Sequence, residues 1–213
     1  MSGRIDINAS LNERNDQIAS ENRRVFSNHS VRVFNLIGSP GCGKTSLLEA
    51  SARILKDRLA VIEGDVMTTW DADRILSAGS QAIQIETGGG CHLNAEMVHK
   101  ALFDIDFDRV DVLVIENVGN LVCPSTFDLG EAAKIAMLSL PEGDEKPIKY
   151  PALFVRAESV VINKIDLKPL MDYNLERAIS DCRKLNSTVK TLEVSAKTYE
   201  GLDAWIQYLL GHQ

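Results

Sequence analysis

The chain has 213 residues, 45% hydrophobic and 25% charged, enough for one α/β domain with a sizeable core and without a linker-like break in composition. A formal net charge of −7 argues against a nucleic-acid-binding surface, no apolar stretch is long enough to span a membrane, and the opening MSGRIDINASLNERNDQ has no hydrophobic signal core. Four unevenly spaced cysteines in such a chain point to reduced thiols and a cytoplasmic setting.

Residues 1–30 read as a polar leader in which Asn8 or Ser10 caps a helix carrying Leu11, Ile18, Val25 and Phe26, packed on the edge of a domain over 31–213. Strands are expected at Val31–Ile37, Leu59–Glu63, Ala82–Glu86, Asp111–Ile115, Ile135–Leu140, Ser159–Ile162 and Val189–Val194. Helices are expected at Lys44–Lys56, Thr69–Ala78, Ala95–Phe103, Leu175–Leu185 and Leu202–Leu210. Near-continuous apolar runs such as VLVI and VVI suit a sheet covered on both faces. Their alternation with helices gives a doubly wound, mostly parallel sheet, whose ligands sit at the carboxyl ends of the strands.

The first strand runs into GSPGCGKT and then a helix, which fits the P-loop pattern at every fixed position. Gly38, Ser39, Pro40, Gly41, Cys42 and Gly43 form a loop whose N–H groups face a polyphosphate, and the helix that follows, with Ser46 in its first turn, adds its positive end. Lys44 can reach the β- and γ-phosphates, and the Thr45 hydroxyl suits Mg²⁺. A nucleoside triphosphate is the implied ligand. Cys42 reads as a space-filling residue.

Acidic groups follow the next strands. Asp65 ends the second in GDVMTTWDADR, while Asp71 reads equally as a helix cap. Glu116 ends the fourth in Glu116-Asn117-Val118-Gly119, where a carboxylate can hold Mg²⁺ and the Gly119 N–H can bond a γ-phosphate. With Lys44, these are the candidate catalytic groups: Lys44, Asp65, Glu116 and Gly119, with Thr45, Asp65 and Glu116 as magnesium ligands. No glutamine is placed to orient water and no arginine finger is evident, so slow intrinsic hydrolysis is expected.

Asn163-Lys164-Ile165-Asp166 stands directly after a buried strand. An Asp166 carboxylate can accept from the N1–H and exocyclic amine of guanine, a donor pair that adenine lacks. Asn163 suits the N7/O6 edge, and the Lys164 stem can lie over the ring. One βα unit later, Ser195-Ala196-Lys197 offers a backbone N–H to guanine O6. GTP and GDP are the expected nucleotides.

Two further elements are not needed by a plain GTPase. Cys91-His92 follows the third strand and Cys123 the fourth, and thiolate with imidazole suits Zn²⁺, Ni²⁺ or Cu. The residue types read equally well as two buried cysteines and a turn histidine. Three ligands leave a closed site incomplete, so water or a second copy must supply the rest. Cys182 reads as a core residue, and His29, His99 and His212 stand alone.

Taken in order, GSPGCGKT, GDVMTTWDADRI, GGGCHLNAEMV, ENVGNLVCPSTFDLGE, EGDEKPIKYP and NKIDL resemble the HypB family of hydrogenase maturation GTPases from about Val31 onward. The resemblance implies a SIMIBI-class G domain, a GTP-promoted homodimer, and a nickel or zinc site formed by Cys91, His92 and Cys123 at the dimer interface. It also implies a role in nickel insertion into the [NiFe]-hydrogenase large-subunit precursor, with the small metallochaperone HypA as partner, and no nucleic-acid or membrane partner. The leader offers only His29 as a ligand, so no second nickel site is expected. A urease accessory GTPase such as UreG is the nearest alternative, but its metal element reads Cys-Pro-His. A GTP-regulated scaffold or sensor with a structural zinc site is another. Cys123 shares a loop with Glu116 and Gly119, and Cys91 and His92 are expected on the neighbouring strand's loop, so nucleotide state is expected to change the metal geometry.

Overall fold

The computed structural model describes the backbone of residues 7–65 and 70–211, with side chains from 12 to 64 and from 70 to 211. Among these residues seven strands form one parallel sheet: β1 (Arg32–Gly38), β2 (Leu59–Asp65), β3 (Gln81–Glu86), β4 (Val112–Glu116), β5 (Ala133–Ser139), β6 (Ala157–Asn163) and β7 (Lys190–Glu193). Their order is β3-β2-β4-β1-β5-β6-β7. Each lies where the apolar runs place it. The expectation that the third and fourth strands are neighbours is wrong, because β2 pairs with both and separates them.

Side chains alternate between faces along each strand, so both faces must be apolar here. Val112 and Val114 join a core with Leu47, Leu48, Ile75, Trp205 and Leu209. Leu113 and Ile115 point the other way, to Phe26, Val98 and Leu129. The first core is contributed by α2 (Lys44–Leu55), α3 (Trp70–Ala78) and α8 (Leu202–Leu210), the second by α1 (Ile7–Asn28) and α4 (Ala95–Ala101). A third cluster under β5 and β6 holds Leu153, Phe154 and Cys182 from α6 (Pro151–Arg156) and α7 (Leu175–Leu185). No described helix is long and apolar enough to cross a membrane.

The short helices α5 (Lys146–Lys149) and α6 are not foreshadowed by the apolar pattern. Pro147 and Pro151 each sit in a first helical turn, where the N–H has no intrahelical partner to lose. Thr69, expected to start the second helix, lies outside the described residues, as does His212.

The leader helix differs from expectation. It is already helical at Ile7, so Asn8 and Ser10 fall inside it rather than at its cap. Its buried face is Asn15, Ala19, Asn22 and Phe26, with Ile18 and Val25 only partly covered. Asn15 donates to Asp128 O and accepts from Ala95 N, while Asn22 donates to Ala95 O and Leu129 O. Amides, more than an apolar stripe, dock α1 onto the domain.

Candidate functional site

The P-loop leaves the middle of the sheet at β1, which pairs in parallel with β4 and β5, and the chain order builds outward from it to β2 and β3 on one side and to β6 and β7 on the other. Such switch points create a crevice at the strand ends. The crevice holds two adjoining cavities that share Gly43, Ser46, Arg74 and Lys164.

One cavity, about 530 Å³, is lined by Pro40, Lys44, Thr45, Asp71, Glu116 and Gly119. Lys44 Nζ lies 3.4 Å from the carbonyls of Gly38 and Ser39 and 3.9 Å from Glu116. A side chain at 119 would meet Pro40 Cγ at 2.8 Å, so only glycine lets this backbone approach the P-loop. Glu116 accepts from the Thr45 hydroxyl at 3.2 Å, and its other oxygen is buried without a hydrogen-bond partner. A hard cation fits that orphaned oxygen beside a hydroxyl. The Asp65 side chain, expected to join them, lies outside the described residues.

Burial raises the Glu116 carboxyl from the usual 4.5 to about 7, against the opposing pull of Lys44 and Thr45. A carboxyl raised on folding contributes stability below its unfolded value, and that contribution is lost as pH rises through its folded value. The nucleotide-free protein should therefore lose up to ~3 kcal/mol between about pH 4.5 and 7 relative to Glu116→Gln. Urea unfolding of both proteins across that range checks this, and parallel profiles would refute it.

The second cavity, about 510 Å³, is lined by Asn163, Lys164, Asp166, Ala196, Lys197 and Tyr199. The Ser195 hydroxyl donates to Asp166 Oδ1 at 2.7 Å and so fixes the carboxylate's orientation. Lys164 adopts a left-handed conformation and bonds Gly41 O at 2.6 Å, which lays its stem along the P-loop. Asn163 is fully buried, donating to Cys42 O and accepting from Ala196 N. It clasps the P-loop to the Ser195 loop and takes up the Ala196 N–H, one of those that the Ser195-Ala196-Lys197 segment is expected to offer a base.

Two residues enter this region unannounced by any motif. Arg74, bonded to Glu49, Asp71 and Ser46, lines both cavities, and Lys146 reaches Ser39 Oγ at 3.3 Å. Only the GDVMTTWDADR and EGDEKP blocks hint at them. Cys42 is buried and its thiol is pushed up to about 11, which makes it an inert spacer.

The Cys91-His92 loop and Cys123 converge, although β2 lies between their strands. One ligand atom each from Cys91, His92 and Cys123 lies within 4.8 Å of the others, and Cys91 Sγ is 3.5 Å from His92 Nδ1. A tetrahedral ion with bonds of about 2.0–2.3 Å needs slightly closer donors, a small adjustment. Cys91 is exposed and Cys123 partly so, which removes the reading of two buried cysteines. His92 stacks on Phe127 with centroids 3.9 Å apart, and burial lowers its imidazole, favouring the neutral ligand form. Cys182 is buried in the core, His29 stacks on Phe107, and His99 bonds Asn22.

Residues 32–193 match the family described as CobW/HypB/UreG, nucleotide-binding domain. The chain is 48% identical over 207 residues to the hydrogenase maturation factor HypB of Rhizobium leguminosarum bv. viciae, covering 96% of this chain and 69% of that protein. It is 43% identical over 207 residues to HypB of Escherichia coli strain K12, covering 96% and 71%. The crystal structure of HypB from Helicobacter pylori in complex with nickel is similar, with a TM-score of 0.89, 38% identity, and coverage of 93% of this chain and 94% of that one.

Proposed function

The chain belongs to the HypB family of hydrogenase maturation factors, and on that premise we propose that it is a GTP-hydrolysing nickel metallochaperone. It assists insertion of nickel into a [NiFe]-hydrogenase large-subunit precursor in the cytoplasm, with HypA as its small partner. One observation carries this reading. The end of β4 and the loop after it hold Glu116 and Gly119 against the phosphate cavity and, a few residues on, Cys123 within the three-ligand cluster.

The substrate's phosphates displace Lys44 Nζ from the carbonyls of Gly38 and Ser39, and its charge then neutralises the β- and γ-oxygens. Thr45, Glu116 and Asp65 are the residues that would hold Mg²⁺, which supplies charge neutralisation at the transferring phosphate. Gly119, held against Pro40, offers its N–H to the γ-phosphate. Among the described residues no glutamine lines the phosphate cavity, so intrinsic hydrolysis is slow, and loss of the γ-phosphate frees Gly119 and shifts Cys123. Cys91, His92 and Cys123 bind the cargo ion, nickel, with zinc as a competing occupant. Their open coordination positions suit a GTP-promoted homodimer in which two clusters meet.

Equilibrium Ni²⁺ titration with GDP and with a non-hydrolysable GTP analogue, alongside solution mass, tests the reading. Different affinities in the two states and a shift toward dimer with the analogue are expected. By linkage, nickel must alter nucleotide affinity by the same factor. Equal nickel affinity in both states would remove the coupling.

A further inference from the structure

The Cys123 half of the cluster is joined to the nucleotide cavity by its own backbone, but Cys91 and His92 stand on a different loop, after a strand that does not touch β4. One buried amide bridges this gap. Asn117, between Glu116 and Gly119, is 1% exposed, and its Oδ1 accepts from Leu93 N at 3.0 Å and from Val118 N at 3.1 Å. Leu93 follows His92 directly, is fully buried, and fills the space over Gly64, where an added Cβ would meet its side chain at 2.7 Å.

The other end of the amide is also fixed. Asn117 Nδ2 donates to Asn35 Oδ1 at 3.1 Å, and Asn35, fully buried three residues before the P-loop glycine Gly38, donates to Glu131 Oε1 at 3.3 Å. Glu131 accepts from Leu129 N and from Lys134, and Lys134 also donates to Phe127 O, beside the ring that stacks on His92. The bonds of the Asn117 and Asn35 amides join buried groups that have no water to replace a lost partner, so the Leu93 N–H follows the Asn117 oxygen, while the two bonds of Lys134 are only partly buried. A second link, Asn120 Nδ2 to Cys91 O at 3.3 Å, is exposed, where water substitutes readily.

We propose that Asn117 is the positioning residue that carries the γ-phosphate state from the Glu116–Gly119 segment to the Cys91-His92 half of the metal site. The inference rests on the nucleotide–nickel coupling above and names its second arm. When Gly119 is drawn toward a γ-phosphate, Asn117 takes the Leu93 N–H with it, and both halves of the cluster shift in one step. Asn35, held by Glu131, is the pivot on which the Asn117 amide turns.

The test uses Asn117→Leu, which keeps the volume but removes the acceptor, and Asn120→Ala as a contrast on the same loop. The readout is the ratio of Ni²⁺ dissociation constants with GDP and with the GTP analogue, together with the thiolate-to-nickel charge-transfer band in each state. In the wild type the ratio should depart from unity by roughly fivefold or more. Asn117→Leu should bring it to within about twofold of unity and make the two spectra coincide, whereas Asn120→Ala should keep most of the ratio. A wild-type-like ratio in a folded Asn117→Leu protein overturns the inference and leaves the coupling standing, while a wild-type ratio of unity overturns both. Should Asn117→Leu fail to fold, the wild-type Leu93 amide resonance decides. A shift or changed exchange protection between GDP and analogue supports the relay, and an unchanged resonance refutes it.

Discussion

Asp166→Ala should weaken GTP and GDP binding by about two to four orders of magnitude while leaving the weak binding of ATP nearly unchanged. The carboxylate lines the second cavity and is oriented by Ser195 at 2.7 Å. Two charge-assisted hydrogen bonds to the N1–H and amine of guanine contribute roughly 1.5–3 kcal/mol each. A site built around such a donor pair rejects a base without it far better than shape alone can. Competition against a fluorescent GDP measures the effect, and a loss smaller than threefold would show that the base is read elsewhere. Melting should change little, because Asp166 sits at the cavity rim and Ser195 keeps its backbone bonds to Glu200 and Tyr199.

Cys123→Ala should lower Ni²⁺ affinity by more than the roughly 10–100-fold that loss of a mere supporting group costs. Affinity of the monomer for GDP should stay near wild type, since Cys123 lines neither nucleotide cavity. Cys91→Ala should behave alike. Cys42→Ala should not affect nickel, because its thiol is buried and pushed up to about 11. Equilibrium titration with a competing chelator resolves all three. Nickel binding that survives loss of Cys123 would place the ligands elsewhere.

The strands were readable because both of their faces are apolar, and the P-loop, NKxD and cysteine motifs were readable because their chemistry requires fixed residues at fixed spacing. Strand order was not, since no local pattern says that β2 enters between β3 and β4. The docking of α1 was only half visible. Leu11, Ile18, Val25 and Phe26 suggest a stripe, but burial is shared with Asn15 and Asn22, whose partners lie 73 to 113 residues away. For the same reason no local pattern marks the role of Asn117 or Asn35, because an asparagine's worth depends on distant carbonyls and amides. Asn163 was found by motif, yet its clasp of Cys42 O and Ala196 N emerges only in three dimensions.

The insertion of β2 between the two cysteine-bearing strands has a mechanical consequence. β3 and β4 share no ladder, so the Cys91-His92 loop and the Cys123 loop are joined by the side-chain hydrogen bonds of Asn117 and Asn120 and not by the sheet itself. An ion held between the loops would act as a detachable cross-link over a sheet that is already complete. A structural zinc site, by contrast, is part of what keeps its domain folded, and stripping the ion collapses it. Here the unloaded and loaded proteins can share one sheet, which suits the proposed role of a carrier.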